Sequence, residues 1–479
     1  MKKTLIIILA ISLGLSSCEK WLDINTSPNT STDGSPDNLF GYAAIAWAGN
    51  RSGGDSYLPI GFSAQNLATG GNYGWGYSED RYDISPFSLG NTWKVYYSTS
   101  ANNLRLAMLQ AEEAGDINKV AQSQILAALL AYEGTMFWGD MPFSEAWNDE
   151  ITDPKFDSQE SILNEAISML EEAIDMIDFD DPVRIIESDL FYNGDLEQWI
   201  KVAKSIKFRI LMVMVDKDPS KATEIANMLN EGNMISSPED NFAFPWLDEP
   251  NKENPKYKLF DRYAGGSNVW IFANKNVFDF MEPLNDPRIP RYFKLGLDDP
   301  TEYSAVQTAS EADGTTSLIS DYLYRATAPD LIFSYQEQLF FEAEAYARGL
   351  GVAQDLSKAN DLYKEAVEEA ALYYEVEESA ASNFANSLQD LTELSQSEAV
   401  RQIHIQQWVD LMDRSLEAWV QWRRSGPEGQ EVPDLSLPNG APAGGLIRRW
   451  DYPPEEELTL NTNAPANPPL LYENLWFDL

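Results

Sequence analysis

Three groupings of residues in this chain have the types and spacing to do chemistry. The first is Leu15-Ser16-Ser17-Cys18, which ends on the one cysteine among 479 residues. A leucine, two small residues and a thiol form the pattern of a bacterial lipobox, where the leader is cut and the cysteine is acylated. The second is 65–82, QNLATGGNYGWGYSEDRY, where Tyr73, Trp75, Tyr77 and Tyr82 alternate with Gly70, Gly71, Gly74 and Gly76. Asn66, Asn72 and Arg81 add amide and guanidinium groups. The third, Arg262 to Trp270, repeats that mixture, with Gly265, Gly266, Asn268 and Trp270. Aromatic rings stack on the flat C–H faces of sugars, while amides and charged groups meet the hydroxyls. Glycine lets backbone approach a ligand. The candidate ligand contacts are therefore Asn66, Asn72, Tyr73, Trp75, Tyr77, Arg81, Asn268 and Trp270.

Other chemistry is excluded by scarcity. One cysteine makes neither an intramolecular disulfide nor a thiolate metal site. One histidine, His404, leaves no imidazole metal cluster, and any Ser–His–acid triad would have to use it. It lies on a predicted helix and reads as a structural histidine. Glu311-Ala312-Asp313-Gly314 lacks the remaining acidic positions of an EF-hand loop. No metal or cofactor is expected. Carboxylate-pair hydrolysis stays open at this level, because spacing in sequence does not show two acids about 5–9.5 Å apart. With 76 acidic and 34 basic residues, the net charge of −42 argues against nucleic acid and against electrostatic docking on anionic lipid.

The elements that must position these groups follow from composition and period. Residues 1–17 combine Lys2 and Lys3 with an apolar run from Leu5 to Leu15, too short to span a bilayer comfortably. Residues 18–38 have the Asn, Thr, Ser and Pro content of a tether. A first helix is expected over 39–50. Helical periodicity predicts pairs near 91–138, 158–215, 333–374 and 397–424, the last as one long helix or two. Long irregular loops are expected near 51–90 and 232–332, and a Pro-rich irregular tail over 425–479. Ala359, Tyr363 and Ala366 keep the small–large–small spacing of the second helix of a tetratricopeptide unit, and Ala166, Leu170 and Ala173 repeat it. Such spacing lets two helices approach closely.

Several segments in order resemble the SusD/RagB family of nutrient-binding outer-membrane lipoproteins of the Bacteroidetes type, in its SusD-like branch. They are Asp23-Ile24-Asn25-Thr26 after the lipobox, Phe137-Trp138-Gly139-Asp140-Met141-Pro142-Phe143-Ser144-Glu145-Ala146, Asp286-Pro287-Arg288-Ile289-Pro290, Glu417 to Gly426, and Arg449 to Asn463. The resemblance implies a mostly α fold, with tetratricopeptide-like helix pairs supporting an irregular ligand-binding face in a single domain over 39–479. It implies a lipid-anchored protein on the outside of the outer membrane that passes an oligosaccharide to a TonB-dependent, SusC-type transporter, without catalysis. A RagB-like peptide binder of the same fold is the alternative, and a surface glycosidase the remote one. Trp419, Trp422 and Arg423 read as core and ion-pair residues.

Overall fold

Helix starts are set by short polar side chains. Ser35, Ser158, Asp195, Ser334, Asp355 and Ser395 each precede a helix and accept a hydrogen bond from a first-turn backbone N–H. Ser395 and Glu398 complete the reciprocal capping box. Each cap satisfies donors that the helix itself leaves unpaired. The computed structural model describes residues 34–71, 78–148, 150–298, 300–442 and 444–479, and over these the chain is mostly helical. Cys18 and the tether to residue 33 lie outside them.

Two runs of helices carry the architecture. In the first, Asn102–Ala114 turns at the left-handed Gly115 into Ile117–Trp138. Gln159–Met176 packs on Ile117–Trp138, Leu196–Met214 on Gln159–Met176, and Lys221–Glu231 on Leu196–Met214. In the second, Tyr335–Arg348 lies against Leu356–Tyr373, Glu378–Ser387 covers the latter, and Gln396–Asp410 covers the former. The Ala359/Tyr363/Ala366 and Ala166/Leu170/Ala173 triplets are buried at these contacts. The runs touch where Gly351, at positive φ, presses on Lys221–Glu231; a Cβ there would sit 2.0 Å from the Ala222 carbonyl oxygen. The late helical region is two helices, Gln396–Asp410 and Ser415–Arg424, separated by a tight turn over Leu411–Asp413.

The segment 51–90, expected as one long loop, contains two helices, Tyr57–Ser63 and Pro86–Trp93. Tyr57, Leu58, Ile60 and Phe62 are buried, and their helix packs on Ser415–Arg424. Its glycines disguised a core element. The 232–332 region likewise holds three short helices, Pro255–Ala264, Lys275–Met281 and Ile289–Tyr292, with short strands of two to four residues between and around them. No described helix is long and apolar enough to cross a membrane.

A polar spine runs through the core. Arg51 holds Glu133, Asp330 and Glu417, drawn from four distant parts of the chain. Arg209 and Arg414 share Glu337. Arg288 pairs with Asp286 at 2.6 Å and donates to Gln406, so the Asp-Pro-Arg element is a buried lock. His404 lies inside its helix with Nε2 3.1 Å from a Glu344 oxygen. Burial opposes ionisation of Glu344, but Arg424, His404 and Arg348 together hold it well below the usual carboxylate range. Arg423 departs from the expected ion pair. It is fully buried, stacks on Trp419, and donates to the carbonyls of Trp419, Met136 and Arg448. No described carboxylate pairs with it, and desolvation lowers its pKa to about 9. The tail closes the first helical run: Trp450 N–H donates to the Phe137 carbonyl, Arg448 pairs with Asp478, and Leu475 and Phe477 are buried.

Candidate functional site

Residues 65–71 and 262–273, about two hundred positions apart, meet in one small antiparallel sheet. Leu67 pairs with Ala273 and Ala68 with Phe272; Phe272 pairs in turn with Leu318, and Leu318–Ile319 with Phe293–Lys294. Each strand has only two residues, but Ala68, Phe272, Val306 and Leu318 bury a local apolar cluster beneath it. Gly70 and Gly71 follow at φ +73° and +68°. A Cβ at Gly70 would meet Ala312 at 2.6 Å, and one at Gly71 would meet the Ser310 carbonyl at 2.7 Å. Only glycine turns the chain there against 310–312, and the Ala312 N–H donates to the Gly70 carbonyl. The chain returns at Asp80, whose buried carboxylate accepts from Thr69 and pairs with Arg81 at 2.5 Å. Burial raises the Asp80 pKa, with Thr69 and Arg81 working against it.

The predicted contacts divide. Asn72, Tyr73, Trp75 and Tyr77 lie outside the described residues. Arg81 is part-exposed beside this sheet, bonded to Asp80 and the Ala309 carbonyl. Asn66 is a correction. It is fully buried, and its amide donates to the Met412 carbonyl at 2.7 Å. Tyr82 is core as well, with its hydroxyl held by Gln65. Asn268 is a second correction. Its amide donates to the carbonyls of Ile271 and Ile319, and its oxygen accepts from the N–H groups of Trp270 and Ile271. With every group used internally, Asn268 is a positioning residue that fixes the turn carrying Trp270. Trp270 itself is half-buried. Its ring lies 4.9 Å from Phe260, and Phe260 stacks on Tyr324 at 5.0 Å. The Trp270 Nε1 has no partner among the described residues.

Sequence reading missed the charged and aromatic neighbours that the sheet recruits. Lys294 Nζ lies 2.7 Å from Ser267 and 2.8 Å from Asp321, which also accepts from the Asn268 N–H. Val269 and Leu297 are exposed, and Tyr257 and Tyr303 half-exposed. Tyr322, next to Asp321, is clasped by the guanidiniums of Arg291 at 4.0 Å and Arg325 at 4.1 Å. Tyr322 and Arg325 also line a narrow cleft with Lys256, Tyr373, Asp413 and Arg414. The Tyr-Leu-Tyr-Arg run at 322–325 was a usable aromatic–cation signal. The arrangement offers a half-exposed indole, tyrosine rings and paired charged groups on short, shape-tolerant strands. It can hold flat polar ligands by stacking and hydrogen bonding. Glu311 and Asp313 do not gather a metal cage: Asp313 caps Thr315 and Thr316. Among the described residues no three acids, histidines or cysteines are placed to hold a metal ion.

Residues 59–453 match the model of the SusD-like family described as starch-binding and associating with the outer membrane. No curated protein matches the chain. Several solved structures share its fold. A chitin-binding protein superposes with a TM-score of 0.78 at 21% identity, covering 93% of this chain and all of its own. A chitin-binding SusD homologue from Flavobacterium johnsoniae gives 0.74 at 18% identity, covering 93% and 97%. A SusD/RagB family protein from Bacteroides thetaiotaomicron gives 0.73 at 21%, covering 93% and 99%.

Proposed function

This chain belongs to the SusD-like family, and from that membership we propose that it binds oligosaccharide at the face built on the Leu67–Ala68/Phe272–Ala273 pairing. One observation supports the location: that pairing brings 65–71 against the strand that follows Trp270. Trp270 supplies the stacking ring, Asn268 aims it, and Lys294 and Asp321 meet hydroxyls at its edge. Asn72, Tyr73, Trp75 and Tyr77 are proposed as further ligand contacts on their ring and amide chemistry alone. The protein is held at the outer surface of the outer membrane by acylated Cys18. It works as a binding protein, not an enzyme, and passes its ligand to a SusC-type TonB-dependent transporter.

The binding test is calorimetric titration of the lipid-free 19–479 form with chito- and malto-oligosaccharides. Trp270→Ala and Trp75→Ala should each weaken the bound glycan roughly tenfold, in line with the ~1–3 kcal/mol of ring stacking. Unchanged affinity in both well-folded variants would remove this face from the reading. Binding of peptides and of no glycan would favour the RagB-like alternative, and shortened glycan products would favour a hydrolase. Cys18→Ala should abolish palmitate labelling and release the protein from membranes. Mild detergent extraction should recover it with a large β-barrel; repeated recovery alone would sink the transporter pairing.

A further inference from the structure

An open cleft of about 650 Å³ runs along the first turns of Gln396–Asp410. The C-terminal end of Tyr335–Arg348 closes it on one side, and the 425–432 turn after Ser415–Arg424 closes it on the other. It shares no lining residue with the glycan face. Ser397, Val400, Arg401 and His404 line it at spacings of three and four, which is one face of an α-helix. Leu350, Pro427 and Val432 join Val400 as its apolar lining. Both sides are fixed by hydrogen bonds. Gln396 donates to the Ala347 and Arg348 carbonyls, tying the first turn of one helix to the last turn of another. Opposite, the Ser425 hydroxyl donates to the Trp422 carbonyl and accepts from the Val432 N–H, which sets the return of the chain.

The charge of this cleft runs against that of the molecule. The chain has 76 acidic and 34 basic residues, yet no described acid lines the cleft, while Arg348, Arg401 and His404 do. Behind its wall, Arg348 reaches Asp216 and Glu344, and Glu344 is shared with Arg424 and His404. Glu398, one turn before Arg401, is turned back onto the Ser395 cap. Arg401 is exposed and has no partner among the described residues. The Gln430 side-chain amide is exposed and equally free. A free guanidinium is matched by a carboxylate, and a free amide offers the donor and the acceptor that a peptide bond needs. A bare inorganic anion would leave Leu350, Val400 and Val432 uncovered. A ligand with carboxylates, amides and apolar side chains satisfies all three kinds of group at once.

We propose that this cleft binds a short acidic peptide, with a carboxylate on Arg401, a backbone amide on Gln430 and apolar side chains over Leu350, Val400 and Val432. The site is separate from the glycan face and does not depend on it. The probe is a fluorescein-labelled hexapeptide of alternating aspartate and leucine, followed by fluorescence polarisation against the full-length protein in detergent. Saturable one-to-one binding is expected, weakening as salt is added. The same peptide with asparagine for aspartate should bind at least tenfold more weakly. Arg401→Glu should weaken the acidic probe at least tenfold, and Gln430→Ala by about threefold. Both side chains are exposed, so both variants should keep the parental fold and the parental glycan titrations. Absence of saturable binding would overturn the proposal, as would parental affinity in Arg401→Glu or equal affinity for the asparagine peptide. Citrate displacing the probe as tightly as the unlabelled peptide would make this a small-anion site and overturn the peptide assignment.

Discussion

Arg51 and Lys294 are both cations gripped by oxygen, in opposite surroundings. Arg51 is about 5% exposed and reaches Glu133 at 2.6 Å, Glu417 at 3.0 Å and Asp330 at 3.1 Å. Lys294 is 23% exposed, and its partner Asp321 48%. Around Arg51 there is little water to replace a lost partner. Burial pushes the Glu133 carboxyl up, and the Arg51 charge pulls it back. Around Lys294, solvent competes for every contact. The first cluster therefore decides whether four remote segments assemble, and the second can be rebuilt without disturbing the fold.

The largest break in that contrast should come from Arg51→Met. It strands three carboxylates in the interior and should cost about 3–5 kcal/mol in urea unfolding. A loss below about 1 kcal/mol would mean that the cluster behaves like a surface pair. Asp240 lies between the extremes: buried, yet paired with the quarter-exposed Lys201. Desolvation opposes its charge, but Lys201, the Ser236 N–H and Gln198 win, lowering its pKa to about 2. Asp240→Asn should cost roughly 1.5–3 kcal/mol at neutral pH. A lowered folded pKa gives stability that is present above the ordinary value of 3.8 and is lost as pH falls through about 2. The two proteins' unfolding curves should thus converge between those values, and parallel curves would contradict the assignment. Trp270→Ala removes a half-buried ring and should cost about 2 kcal/mol, below the ~3–5 of a core aromatic. A full core penalty would move Trp270 out of the site. Lys294→Ala should change stability by less than about 1 kcal/mol, with added salt erasing even that.

The helical scaffold was legible because its signal is periodic. Ala359, Tyr363 and Ala366 announce a close helix contact by spacing alone, and they are buried where that spacing puts them. The site was legible in composition and not in detail. Asn268 and Asn66 have the side chains of ligand contacts, but long-range partners, Ile319 and Met412, consume them. No local pattern records such a partner. Arg423 misled for the same reason, since three carbonyls from separate segments replace the expected acid. The helix Tyr57–Ser63 was hidden by flanking glycines, and the π-helix Lys94–Ala101 by the assumption of 3.6 residues per turn.

The closing tail has a consequence for how the molecule comes to be. Phe137 receives its backbone partner from Trp450, and Gly139 abuts Leu475, with a Cβ there only 2.8 Å from the leucine methyl. The Ile117–Trp138 helix thus lacks one wall until a segment more than three hundred residues later arrives. Contacts of such sequence separation form late and slowly. Until that last stretch docks, the C-terminal end of Ile117–Trp138 keeps an uncovered apolar flank. Cutting the chain within 471–479 would strip Leu475, Phe477 and Asp478 from their partners and reopen that flank in the finished protein.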